Sequence, residues 1–164
     1  PPRQRLGPVG RLRQRQARAE DREPRRLGLR RRRDLLVEAD VRALAHITGG
    51  GIAANLSRVL PTGVTLDVER STWSPDACFR VLADWGGYAL TELESTWNLG
   101  LGFAVVVKGK DAEAISAQLN TAGIHTWNLG IIESTACDLD AMGYTYEAKG
   151  VTGGGVRLVG SYAN

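Results

Sequence analysis

An apolar run over residues 41–47 stops at Thr48 and three consecutive glycines, and a helix-like segment over residues 52–60 starts at once after them. This junction limits the fold more than any other feature of the chain. A short apolar run bounded by Thr and Gly reads as a buried strand. Ile52, Leu56, Val59 and Leu60 recur at helical spacing, and Pro61 and Gly63 end the helix. Consecutive glycines let backbone N–H groups approach an anion at a helix start. They equally suit a tight strand-to-helix turn with no ligand. Pattern alone leaves both readings open, because the run is neither a GxxxxGK[ST] loop nor a GxGxxG loop.

The rest of the chain fits around this junction. Residues 64–68 alternate and are β-branched, which predicts a strand. Ser74 as N-cap and Pro75 at the first helical position predict a helix with Cys78, Val81, Leu82 and Trp85 as its apolar face, stopped by Gly86 and Gly87. A short helix is expected over 88–96 and the clearest strand over 101–108. Residues 111–123 form an amphipathic helix with Asp111 as cap, Ile115 and Leu119 inward, and Gly123 just past its end. Residues 124–132 read as another strand, 133–150 as polar and irregular, and 153–160 as a last strand or a flexible tail. Residues 34–40 read as the end of a helix. Strands and helices intermix without strict βαβ order, so the expected class is α+β, a mixed sheet with helices packed on it in three layers.

Charge divides the chain. Residues 1–33 hold 13 Arg and no Lys against three acids, a net +10, while the other 131 residues hold 8 basic and 15 acidic side chains, a net −7. The first segment lacks aromatics and has few apolar residues, so it is expected not to fold by itself. It reads as a non-native leader or as a basic arm for nucleic acid. The expected organisation is this leader over 1–33, a domain over 34–135, and a Gly-rich tail, or a returning strand, over 136–164. Cys78 and Cys137 have no CxxC or Cys/His spacing, which suits a reducing cytoplasm and buried thiols. No apolar run is long enough for a membrane helix.

Other motifs are weaker. His46 lies inside the first apolar run, where a lone His is more often a hydrogen-bonded packing residue than a catalyst. His46 and His125 make no metal-spaced pair. Asn98, Gly100 and Gly102 precede the main strand, where Asn98 suits either a ligand or a turn. "TWNLG" occurs twice, at 96–100 and 126–130, too few copies for a solenoid and read as coincidence. "TGGG" recurs at 152–155 with no helix signal after it. No Ser-His-Asp order or HExxH motif is present.

Together these stretches resemble a known family. "ALAHITGGGIAANLSRVLP", with Asn55, Arg58, Leu60 and Pro61 in place, is similar to the A-x-A-H-[IL]-T-G-G-G run and following helix of aminoimidazole ribonucleotide synthetases, also called phosphoribosylformylglycinamidine cyclo-ligases. Trp73, Pro75, Phe79 and Leu82 continue the likeness. "TWNLGLGF" resembles T-F-N-x-G-x-G-[MF], with Trp97 for Phe, and "HTWNLGII" resembles A-W-x-[IL]-G-x-[IV]. The resemblance covers roughly residues 36–133. Ser95 stands where the family usually has Arg, and the family's D-x4-G-A motif and P-T-R-[IV]-Y segment have no counterpart here.

The resemblance implies the C-terminal domain of an ATP-dependent cyclo-ligase of de novo purine synthesis. The family uses ATP and Mg²⁺, dimerises, and closes the imidazole ring of aminoimidazole ribonucleotide from formylglycinamidine ribonucleotide. It implies Thr48, Gly49, Gly50 and Gly51 at a substrate or phosphate groove, lined by Asn55 and Asn98, with His46 as a catalytic candidate and no metal ligand. It also implies a missing N-terminal partner that carries most of the ATP site, so this chain is expected to hold no ATP and to be inactive alone. A sibling such as a selenophosphate synthetase or a hydrogenase-maturation protein is the alternative, which the pairing of "AHITGGG" with "TWNLGLG" disfavours.

Overall fold

A computed structural model describes residues 40–163. The Arg-rich segment, most of the helix end expected over 34–40, and Asn164 lie outside the described residues. The chain runs β1 (Val41–His46), α1 (Gly51–Ser57), β2 (Val64–Glu69), a 3-10 turn (Arg70–Thr72), α2 (Ala77–Gly86), α3 (Leu90–Leu93), β3 (Phe103–Val107), α4 (Gly109–Thr121), β4 (Ile132–Ser134), β5 (Thr145–Ala148) and β6 (Val151–Val159). The class is α+β, as expected, and the strands divide between two sheets.

β1 and β3 form an antiparallel ribbon that pairs His46 with Phe103 and Leu44 with Val105. The other sheet has the order β4-β2-β6-β5. In it β2 and β6 are parallel, and the two outer pairs are antiparallel. α1 packs on β5 and β6 and touches β1. The core gathers Ile47, Ile52, Leu56, Leu66, Val68, Trp73, Leu101 and Val156 from both sheets and α1. β1 shows why its residues make a strand: Ala45 and Ile47 are buried while Leu44 and His46 point outward, the period of two of a half-covered ribbon.

Several expectations are corrected. α2 starts at Ala77 with Asp76 at the N-cap position. Ser74 instead accepts a hydrogen bond from Arg80 Nη2 (3.0 Å), and Pro75 is buried ahead of the helix. The apolar seam of α2 faces solvent: Cys78, Val81, Leu82 and Trp85 are exposed, and the helix meets the body through Ala83 and through Phe79, whose ring lies 5.8 Å from that of Trp97. Periodicity identifies an apolar face without saying whether a neighbour covers it. Both cysteines are therefore exposed, Cys137 in a loop of its own.

α4 starts at Gly109, so Asp111 lies in its first turn beside the positive end of the helix dipole and is not its cap. Leu119 is buried, Ile115 is half-buried, and Gly123 follows the helix at φ +77°. The strand expected over 124–132 shrinks to β4, because side chains take over the hydrogen bonding upstream. Thr126 is held by Ser116 (2.7 Å) and Asn120 (2.8 Å), and Asn128 Oδ1 accepts from Gly130 N–H (3.3 Å). The stretch expected to be irregular contains β5.

The two "TWNLG" copies share a local solution. Asn98 Oδ1 accepts from Gly100 N–H (3.1 Å), as Asn128 does from Gly130, so each Asn-Leu-Gly closes an Asx turn. The carbonyl of Leu99 takes the Trp73 indole N–H (3.2 Å) and that of Leu129 takes the Glu69 N–H (3.0 Å).

Candidate functional site

Ile47, buried at the end of the ribbon, donates its N–H to the Gly102 carbonyl (3.0 Å). The chain then turns at Thr48, whose carbonyl accepts from Gly51 N–H and from Asn55 Nδ2 (3.1 Å each). Gly50 and Gly51 have φ of +103° and +73°, where side chains other than glycine are strained. Gly51 has a second constraint: a Cβ there would overlap the Glu94 carbonyl oxygen, which also accepts Ile52 N–H (3.3 Å).

Two bonds, Ile47 to Gly102 and Ile52 to Glu94, thus bind residues 47–52 edge to edge with residues 94–102. The fold brings together the two motifs that stood 50 residues apart in sequence, "HITGGG" and "TWNLGLG".

Of the amides in the turn, those of Gly51 and Ile52 are engaged. Those of Gly49 and Gly50 have no protein acceptor among the described residues. Thr48 and Gly49 are exposed, and a Cβ at Gly49 would meet open space. The stem of Lys149 passes 4.0 Å from where a Cβ on Gly50 would sit. Lys149 occupies the β5–β6 hairpin turn at φ +51°, in a stretch that sequence reasoning left irregular; the Lys-Gly pair was its only signal.

Asn55 is buried and engaged within the fold. Nδ2 reaches the Thr48 carbonyl and the Gly51 carbonyl (2.7 Å), and Oδ1 accepts from Arg58 Nη2 (3.1 Å). It fastens the turn, as Asn98 fastens its own. His46 is neither buried nor hydrogen-bonded as a packing residue: its ring stacks on Phe103 on the open face of the ribbon, centroids 4.5 Å apart at 11°.

Among the described residues, no group of three or more His, Cys, Asp or Glu could hold a metal ion, and no helix is long and apolar enough to cross a membrane. A shallow hollow of about 330 Å³ between α2 and α3 is lined by Arg80, Asp84, Tyr88 and Tyr162 and includes none of the site residues.

The fold and the turn define an α+β domain built around a strand, a glycine turn and a short helix, clasped by a second glycine loop. The chain belongs to the family described as AIR synthase related protein, C-terminal domain, whose profile matches residues 5–137. It is 38% identical over 101 residues to proteins of Burkholderia cenocepacia and Burkholderia lata named phosphoribosylformylglycinamidine cyclo-ligase, covering 62% of this chain and 29% of each relative. It is 40% identical over 114 residues to a Streptomyces fradiae protein named "Putative phosphoribosylformylglycinamidine cyclo-ligase", covering 70% of this chain and 60% of that one. The chain thus spans under a third of the length of its Burkholderia relatives.

Proposed function

We propose that this chain is the C-terminal part of a cytoplasmic, homodimeric cyclo-ligase of purine biosynthesis, and that the turn at residues 48–51 holds a phosphate of formylglycinamidine ribonucleotide. The observation that carries this reading is the clasp of the two motifs around a turn whose Gly49 and Gly50 N–H groups have no protein acceptor among the described residues. Successive backbone N–H groups left free in a glycine turn favour an anion. Lys149 adds a positive charge from the neighbouring hairpin, and the Thr48 hydroxyl is exposed beside them.

Asn55 and Asn98 set the two loops and are not assigned to the ligand. His46, stacked on Phe103, is assigned no proton transfer. ATP and Mg²⁺ do not fit the described residues, which supply neither a Gly-Lys-Ser/Thr phosphate loop nor an acidic cluster. The nucleotide is assigned to the part of the relatives that this chain does not span. The chain's contribution is to bind and orient the substrate, the main source of rate in phosphoryl transfer and ring closure.

The test is titration of the chain with formylglycinamidine ribonucleotide, followed at the Gly49 and Gly50 amide resonances. Saturable shifts at both, weakened at least fivefold by Gly50→Ala, are expected. Resonances that do not move at millimolar ligand would overturn the reading. With ATP added, the chain alone is expected to show no cyclisation; turnover would overturn the assignment of the nucleotide to the part of the relatives that this chain does not span.

A further inference from the structure

Glu94 carries a second set of contacts that the turn does not use. Its carboxylate is nearly buried and accepts from Arg70 through both oxygens, Nε to Oε1 (2.6 Å) and Nη2 to Oε2 (2.9 Å). Tyr162 Oη donates to Oε1 as well (2.6 Å), and Arg70 Nη1 donates to the Gly160 carbonyl (3.0 Å). Three distant segments therefore meet on one carboxylate: the 3-10 turn after β2, the end of α3, and the chain after β6. Bidentate guanidinium–carboxylate contacts fix orientation as well as distance. The backbone of the same residue seals the glycine turn, its carbonyl accepting Ile52 N–H and filling the space beside Gly51.

We infer that Arg70 and Tyr162 are positioning residues for the glycine turn, acting through Glu94: they lock its side chain and so press its carbonyl against Gly51 and Ile52. The C-terminal segment, through Tyr162, thereby sets the geometry of a loop more than a hundred residues upstream. Burial and the neighbouring Glu94 push the Tyr162 hydroxyl well above its ordinary pKa, so it stays a donor across the working range. The link to ligand binding rests on the phosphate reading above; the mechanical link does not.

Amide hydrogen exchange on the whole chain separates the two. Ile52 is read against Val68 and Val156, which are fully buried in the central strands. Tyr162→Phe is expected to speed Ile52 exchange about fivefold, the effect of one lost hydrogen bond. Glu94→Ala is expected to speed it at least tenfold, with Val68 and Val156 within twofold in both. Glu94→Gln, which keeps an acceptor for Arg70 and Tyr162, is expected to return Ile52 to within threefold of the parent chain. Inorganic phosphate, followed at the Gly49 and Gly50 amides, is expected to bind about threefold more weakly to Tyr162→Phe.

Ile52 exchange unchanged in Tyr162→Phe, or rising in step with Val156, would overturn the positioning role. If Glu94→Ala unfolds the chain, Tyr162→Phe and Glu94→Gln still decide the matter. Phosphate that moves no amide in the parent chain would sink the phosphate reading and leave the exchange result to judge the clamp by itself.

Discussion

The tetrapeptide Thr-Gly-Gly-Gly occurs twice, at residues 48–51 and 152–155, and the two copies do opposite things. The first is a turn at the start of α1, with two glycines at positive φ and one, Gly49, facing open space. The second lies within β6, where Gly153 to Gly155 are buried, Thr152 pairs with Glu147 of β5 and Gly155 with Thr65 of β2. There a Cβ on Gly153 would overlap the Ser57 carbonyl oxygen, and one on Gly154 would sit 2.8 Å from Leu60 Cβ. Gly154 N–H also donates to the Leu60 carbonyl (3.0 Å). One run begins α1 and the other lets a strand lie flush against its end. Glycine supplies torsional freedom in the first and absence of volume in the second.

Substitution to alanine should separate these roles most sharply at the two tightest positions. Gly51→Ala meets both penalties, a left-handed torsion of about 1–2 kcal/mol and overlap with a backbone carbonyl. Gly153→Ala meets only the overlap, with an atom that cannot swing aside. Each is expected to destabilise the chain by about 3 kcal/mol or more, at the upper end for single changes, read from the denaturant midpoint. Gly155→Ala should cost about 1 kcal/mol, near the lower end of overpacking, because its tightest neighbour is the mobile tip of Leu139 at 2.8 Å. Equal effects at 153 and 155 would mean that the strand, and not its contact with α1, sets the limit.

The same logic grades the first run. Gly50→Ala has room, with its nearest neighbours at 3.9–4.0 Å, so only the torsion should count, about 1–2 kcal/mol. Gly49→Ala meets nothing and should fall within about 0.5 kcal/mol. Asn55→Ala removes the amide that ties Thr48 to Gly51 and leaves Arg58 without its acceptor, at about 1–3 kcal/mol for buried polar groups left unpaired. Thermal unfolding of the three variants checks the order. A large loss at Gly49 would show that the outward face of the turn is structural and would weaken its reading as a ligand surface.

Much of this was legible in sequence. The strand, turn and helix over residues 41–60 declared themselves through periodicity and Pro61, because local signals and tertiary packing agree there. The likeness over "HITGGG" and "TWNLGLG" named two loops but not their contact, which rests on backbone bonds between residues 47–52 and 94–102 that no pattern encodes. The apolar seam of α2 was legible as a seam and not as an exposed one. The second glycine run left a last strand and a flexible tail both open, because a stretch without side chains has no hydrophobic signature: its burial is a property of α1. Glu94, Arg70 and Tyr162 were invisible for the same reason, since their meeting depends on three segments whose order in space only the fold sets.

The mildest prediction concerns how β6 is held beside β2. Asp67 and Arg157 face each other in the parallel pairing and join through both oxygens (2.9 Å each), two residues past Gly155, with the guanidinium 4.5 Å over the Tyr144 ring. The hydrogen bonds from Arg157 hold the Asp67 carboxyl below its ordinary value, against a smaller opposing effect of burial. A depressed native pKa adds stability above the unfolded value, about 3.9 for Asp, and that stability fades as pH falls through the lower native value. Both side chains are partly open to solvent, so the contribution is small and screened by salt. Acid should therefore weaken the Asp67–Arg157 link beside the second glycine run. Between about pH 4 and pH 2, the parent chain should lose slightly more thermal stability than Asp67→Asn, and amide exchange at Val156 should rise more in the parent chain than in that variant. Parallel acid curves for the two chains would show that the pair fixes register without stabilising it.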